Sequence, residues 1–235
     1  MVNPDIPELV APGVYRVDAF AIPNAISVLL LENDDGWTLV DTGLEGSVRR
    51  IQEALTALGS GPDDLKRIFI THQHDDHVGG LRGLVEWSPE AEVGAPEHEA
   101  QVISGQLPRD LPSNPVFRAL LRNAKSPGVP VGKTLREGDL VSGFRVVSTP
   151  GHSPGHVSLL RDEDGLLFTA DAFGQLRRKL RVGVIKPFCA DPPQARRSAE
   201  KLLAEDFVTV IMCHGPVLRA GAKQKLREAL ARCRY

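Results

Sequence analysis

The chain has 235 residues, 42% of them hydrophobic and 25% charged, with 28 basic against 30 acidic side chains. This is ordinary globular composition, which excludes disordered and fibrous classes, and a net charge of −2 gives no electrostatic reason to expect nucleic acid or an anionic membrane as a partner. No apolar run is long enough to span a bilayer, residues 1–7 lack the basic start and apolar core of a secretory signal, and three cysteines without CxxC spacing (Cys189, Cys213, Cys233) argue against a disulfide framework, so a cytoplasmic protein is expected.

Residues 14–20, 27–31 and 37–40 read as strands, rich in β-branched and aromatic residues and separated by turn formers. A helix follows over 46–58, where Val48, Ile51, Leu55 and Leu58 recur at spacings of three and four, and the Gly59–Gly61 stretch ends it. Residues 67–71 form the next strand and run into a histidine cluster. Beyond it come a helix over 81–87, a short strand over 92–94 and a helix over 96–103. The stretch 104–131 carries five prolines and one plausible helix at 116–123; it reads as an insertion, either a lid or a plain surface excursion. Later strands are expected at 144–148, 156–160, 166–170 and 208–212. A helix opens on Asp191-Pro192, an N-cap followed by proline at the first helical position, and another covers 223–231. Strand-rich halves each closed by helices suggest sheets packed on each other with helices outside, not an alternating parallel-sheet fold.

Thr71-His72-Gln73-His74-Asp75-Asp76-His77 carries the strongest signal, with three of the seven histidines inside six residues. Imidazole and carboxylate suit zinc and other borderline divalent metals. At a strand end His72 and His74 point to the same side, because the side-chain period is two, so they can share one metal. Asp76 and His77 lie past the turn and can face a second.

His72-x-His74-x-Asp76-His77 followed by Gly79-Gly80 resembles the signature of the metallo-β-lactamase superfamily, and four further landmarks follow the family's order: Asp41-Thr42-Gly43, the 149–155 motif around His152, Thr169-Ala170-Asp171, and Cys213-His214-Gly215-Pro216. The resemblance implies an α+β fold, a four-layer αββα sandwich of two packed mixed sheets flanked by helices, with 1–235 as a single domain and the metals at one edge. It implies that His72, His74 and His152 hold a first metal, that Asp76, His77 and His214 hold a second, and that Asp171 bridges them. Two zinc ions per chain are expected, with iron or manganese as alternatives. Asp41 is expected to orient a metal-binding histidine; an aspartic-protease reading of Asp-Thr-Gly would need a second such triplet, and there is one.

A bridging aspartate resembles the thioesterase, lactonase and phosphodiesterase branches more than the β-lactamases themselves. The metal motifs are glyoxalase II-like, but only 21 residues follow His214, too few for that enzyme's glutathione-binding extension. Lactonases place a tyrosine near the bridging aspartate, whereas the tyrosines here are Tyr15 and Tyr235. The expected activity is hydrolysis of an ester, thioester, lactone or amide-type carbonyl by a water shared between two metals, with Asp76 orienting the nucleophile and carrying a proton to the leaving group. The alternative is a mononuclear iron, persulfide dioxygenase-like or other redox protein. A small-molecule substrate is expected, and oligomeric state is not legible. Arg177, Arg178, Lys179 and Arg181 follow Asp171 closely and are candidate contacts for a substrate anion, against a solvated basic loop as the plainer reading. Cys189 reads as a buried apolar thiol, Cys213 as pointing away from the metals by strand alternation, His98 as a surface residue and His156 as structural.

Overall fold

The computed structural model describes residues 7–233; the reading of residues 1–7 therefore falls, apart from Pro7, outside the described residues, as does Tyr235. Seven strands follow one another across the first sheet in chain order: β1 (Glu8–Ala11), β2 (Val14–Asp18), β3 (Ser27–Asn33), β4 (Gly36–Val40), β5 (Leu65–Phe69), β6 (Glu92–Pro96) and β7 (Lys133–Leu135). Next come β8 (Leu140–Val141), β9 (Phe144–Ser148), β10 (Val157–Arg161) and β11 (Leu166–Phe168), then a hairpin of β12 (Phe173–Leu176) and β13 (Lys179–Val182), and last β14 (Thr209–Ile211). The second sheet has the order β14-β11-β10-β9-β8. The helices are α1 (Val48–Ala57), α2 (Asp75–Val78), α3 (Leu81–Trp87), α4 (Glu97–Ile103), α5 (Pro115–Leu121), α6 (Pro192–Ala204) and α7 (Ala222–Arg232).

Strand alternation builds three apolar layers. Val28, Leu30, Leu39 and Ile68 face Ile51 and Leu55 of α1, Leu81 and Leu84 of α3, and Ile103 of α4. Their neighbours Leu29, Leu31, Val40 and Phe69 face inward against Phe144, Val146, Leu159, Phe168 and Ile211 of the second sheet. On the far side Val147, Leu160, Leu167 and Val210 meet Leu202 and Leu203 of α6 and Leu226 of α7. The result is the expected four-layer αββα sandwich. β3 is buried on both faces, which explains its unbroken apolar run. Each such side chain contributes about 1.5–3 kcal/mol when fully buried, so the layers rest on aliphatic packing and need few aromatics.

Both sheets are mixed, as expected. β4, β5, β6 and β7 are mutually parallel, so half of the first sheet does alternate strand with helix. β1–β4 pair antiparallel, and β11 pairs parallel with β14. The short strands β1, β7, β8, β12 and β13 were not legible, being two to four residues long. The 104–131 stretch is stitched to the main body at both ends: Ser113 N–H donates to the Cys189 carbonyl (2.9 Å), Gly128 N–H to that of Ile103 (2.9 Å), and Val129 enters the first apolar layer. Among the described residues no helix is long and apolar enough to cross a membrane.

Candidate metal centre

The parallel pairs bring four chain segments to one edge of the sandwich. β4 runs on into Asp41 and β5 into the 71–77 loop; β11 leads to the turn bearing Asp171, and β14 to Cys213-His214. The β9–β10 connection supplies His152. Two of these turns are strained: Asp41 has φ 63° and Ala170 φ 43°, left-handed conformations that non-glycine residues avoid and that concentrate at functional sites. Gly79 and Gly80 are required by contact, since a Cβ on either would collide with the Asp75 or the Thr42 carbonyl oxygen. The histidine loop thereby seats on the Asp41-Thr42 turn, where Thr42 donates both its N–H (2.7 Å) and its hydroxyl (2.8 Å) to the His77 carbonyl.

Two groups of side chains converge there. In the first, His72 Nε2 lies 3.2 Å from His74 Nδ1, which lies 2.8 Å from His152 Nε2. In the second, His77, Asp171, Cys213 and His214 offer ligand atoms within 4.8 Å of one another, and Asp76 Oδ2 is 3.1 Å from His214 Nε2. Asp171 faces both groups. Its Oδ2 is 3.1 Å from His152 Nε2, and its Oδ1 is 3.3 Å from His77 Nε2 and 3.4 Å from His214 Nε2. All seven residues assigned from the sequence are thus brought together.

The far nitrogens are anchored. His77 Nδ1–H donates to Asp41 Oδ2 (2.8 Å), as expected of Asp41, and His214 Nδ1–H donates to the Ala25 carbonyl (2.5 Å). Asp41 also accepts the Thr71 N–H (2.8 Å) and hydroxyl, and that hydroxyl oxygen accepts from His72 Nδ1 (3.1 Å). The Nε2 atoms of His72, His77 and His214 are therefore left bare towards the centre, the tautomer that ligates a metal.

Burial pushes His72 and His156 well below the ordinary imidazole value, and burial together with His152 brings His74 to about 3. Against the same burial, Asp171 raises His152 to about 10, and Cys213 with the nearby carboxylates raises His77 and His214. Burial would raise Asp171, yet His214, His77 and His152 hold it well below the carboxylate range; burial would raise Asp76 too, but the His214 hydrogen bond keeps it ionised. Imidazole and carboxylate thus face each other at positions a divalent cation can occupy. His77 Nε2 and Asp171 Oδ1 are buried and without a hydrogen-bond partner, although they face each other. Buried polar atoms of this kind call for a ligand, and the donor set of imidazole and carboxylate fits zinc or a similar metal.

Several residues do more than the sequence suggested. Glu99 is fully buried on α4, its pKa raised by that burial, and it accepts from Gln73 N–H (2.9 Å) and Gln73 Nε2 on one loop and from Ser153 Oγ (2.7 Å) and Gly155 N–H (2.9 Å) on the other. It ties the His72/His74 loop to the His152 loop, a role with no local sequence signal. His156 is structural as expected, its Nε2 accepting the Asp171 N–H (3.0 Å) while Nδ1 meets the Thr149 hydroxyl (2.8 Å). His98 is about one-third exposed and pairs with Asp110 (2.6 Å).

Three readings are corrected. Cys213 does not point away: the last strand ends before it, at Ile211, so alternation no longer governs its side chain, and its thiol lies beside His77 and His214, which lower its pKa against the effect of burial. Cys189 is buried but not merely apolar, with Sγ 3.6 Å from His152 Nδ1. The basic run is not at the centre. Arg177 and Arg178 form the exposed β12–β13 turn, and Lys179 and Arg181 line a separate groove with Arg232. The hairpin turns these side chains outward.

Above the two groups opens a cavity of about 520 Å³ lined by His74, Asp76, His152, Asp171 and His214 on its floor and by the 104–131 stretch on one side. Residues 21–214 match the metallo-beta-lactamase superfamily. The chain belongs to that superfamily. Superfamily proteins bind metal ions, in keeping with the His/Asp groups above. Protein YobT of Bacillus subtilis (strain 168) is 30% identical over 94% of this chain and 96% of its own length. A hydroxyacylglutathione hydrolase of Chelativorans sp. (strain BNC1) is 31% identical over 79% of this chain, and an N-acyl homoserine lactonase of Bacillus cereus 32% identical over 61%; the matches span 60% and 62% of those two relatives. A metallo-β-lactamase structure from Cronobacter sakazakii superposes with a TM-score of 0.68 at 23% identity, covering 96% of this chain and 90% of that one, which bears on the fold alone.

Proposed function

We propose that the chain is a dinuclear metal-dependent hydrolase acting on the carbonyl of a small-molecule ester, thioester or lactone. The observation that supports this most is the division of the Asp171 carboxylate, one oxygen towards His152 and the other towards His77 and His214. His72, His74 and His152 would hold one cation and Asp76, His77 and His214 the other, zinc in the first instance with iron or manganese as alternatives. Bound there, two such ions supply Lewis acidity and bring the pKa of a water from 15.7 towards about 7. Asp76, ionised and lining the cavity, is placed to take the proton of the attacking water and deliver it to the leaving oxygen or sulfur. The water oxygen bonds to the acyl carbon, the C–O or C–S bond breaks, and acid and alcohol or thiol leave. Hydrolase-named relatives support the same reaction class.

The test pairs metal analysis with turnover. The purified chain is expected to carry two metals and to hydrolyse a thioester or lactone; Asp171→Ala should stay folded, retain about one metal and lose most activity, since a catalytic metal contributes several kcal/mol of charge stabilisation. Full hydrolysis by that variant, or one iron per wild-type chain with no hydrolysis, would overturn the reading.

A further inference from the structure

The cavity over the metal centre has a floor of one chemistry and walls of another. Leu111 and Leu121 from the 104–131 stretch face Leu176, Ile185 and Phe188 from the 173–188 region. The two walls are joined, since Phe117 packs on Phe188 with ring centroids 4.4 Å apart and Ser113 donates N–H and hydroxyl to the Cys189 carbonyl. Among the described residues lining the cavity, Arg109 is the one lysine or arginine, and its guanidinium is committed, to Asp75 Oδ1 (2.5 Å) and to the Gln73 carbonyl (2.5 Å). Asp75, Asp76, Asp110 and Asp171 line the same space. Asp76 and Asp171 belong to the metal groups, and beyond them the lining offers Asp75 and Asp110 and no uncommitted lysine or arginine, so a substrate carrying carboxylates or phosphates away from its reacting carbonyl would find no free side-chain cation there.

Seven large apolar side chains are exposed among the described residues, and four of them, Phe20, Ile22, Val116 and Leu120, sit on the two segments that supply Asn24–Ile26 and Leu121 to the cavity. A volume of 520 Å³ lies within the range of about 300–1,000 Å³ used for small molecules.

Resting on the hydrolase reading above, we propose that the substrate is an uncharged ester, thioester or lactone with a medium-to-long linear acyl chain. Its carbonyl sits over the Asp171 floor, and its chain runs along the Leu111–Leu121 and Ile185–Phe188 walls. Leu121 is a specificity-determining residue of that wall. It is only partly buried, on a helix with no buried residue, so its replacement leaves the core intact.

The test uses the full metal-loaded chain and acetyl, butanoyl, hexanoyl and octanoyl thioesters of N-acetylcysteamine, which are neutral throughout, with S-lactoylglutathione as the anionic comparison. The expected result is a kcat/KM that climbs by about two- to fourfold per methylene buried, with Leu121→Asp cutting the octanoyl-to-acetyl ratio at least about tenfold. A flat or falling series in an active enzyme, or faster turnover of S-lactoylglutathione than of the octanoyl thioester, overturns the proposal and leaves the hydrolase reading standing. If no thioester, ester or lactone is hydrolysed, the hydrolase reading fails, and calorimetric titration with 1-octanol decides the acyl site by itself: saturable binding that Leu121→Asp abolishes supports it, and no binding, or equal binding by the variant, refutes it.

Discussion

Asp41 shows how a single carboxylate sets the state of a ring it does not share a metal with. It accepts the His77 Nδ1–H, and so leaves Nε2 bare towards Asp171. Asparagine at this position would present an amide N–H to Nδ1 and push the proton onto Nε2, the wrong tautomer for a ligand. Asp41→Asn is therefore expected to fold and to bind its weaker metal about 10–100-fold less tightly, with activity falling in step, read by competition against a chromogenic chelator. Unchanged affinity would remove Asp41 from this role. Glu99 acts on the other group. Its loss in Glu99→Ala strands the buried N–H groups of Gln73 and Gly155, each worth about 1–3 kcal/mol, so urea unfolding should show a loss of about 2–5 kcal/mol. Glu99→Gln, which keeps one acceptor oxygen, should lose clearly less. Equal losses would mean that shape, not hydrogen bonding, is what Glu99 supplies.

Among the elements, α6 is the prop under the His152 loop. Ser198 donates to the Pro150 carbonyl (2.7 Å), Lys201 to that of Ser148 (3.1 Å), and the N–H groups of Ala190 and Asp191 to those of His152 and Gly151. A Cβ at Gly151 would collide with Ala195 of the same helix. Glu137, between β7 and β8, joins this support by accepting from Lys201 Nζ (2.8 Å) and Ser148 N–H. Burial would raise the Glu137 pKa, but Lys201 and Ser148 lower it below the ordinary value. A depressed folded-state pKa stabilises above the unfolded value and the stability is lost as pH falls through the folded one. Glu137→Gln should therefore cost under about 1 kcal/mol near neutral pH, the range of a solvent-exposed pair, with the gap closing below about pH 4. A gap independent of pH in denaturant titrations would assign the effect to packing.

For the molecule as a whole, the metal centre lies where the two sheets meet, and its ligands come from both. His72, His74, Asp76 and His77 belong to the first sheet's loops; His152, Asp171 and His214 belong to the second's. Cations held there would clamp one layer to the other and bind only the folded chain. At a free metal concentration about 1,000 times the Kd, one site contributes about 4 kcal/mol, and at about 2–4 °C per kcal/mol for a chain of this size, stripping the metal with a chelator should lower Tm by about 10 °C. Thermal scans of metal-replete and chelated protein check this, and coincident curves would show that the sandwich does not depend on its ions.

The sequence by itself determined the pieces that are local or periodic. The helices α1, α3, α4 and α6 announce themselves by apolar spacing or by a cap, and β3, β4, β5, β9 and β10 by runs of aliphatic residues. The His72–His77 cluster is legible because so many imidazoles in six residues have few other uses. Only the tertiary structure decided what depends on distant partners. The five short strands exist because neighbours in the sheet complete their hydrogen bonds, not because two to four residues prefer that conformation. Glu99 clamps two loops more than 50 residues away from each other and looks like any helical glutamate in the chain. Cys213 turns towards the histidines because its strand has already ended, and the Arg177–Arg181 run turns outward because a hairpin places it there. Period and spacing are properties of a segment and can be read along it; which side chains share a space is a property of the packed layers, and it exists only once they have met.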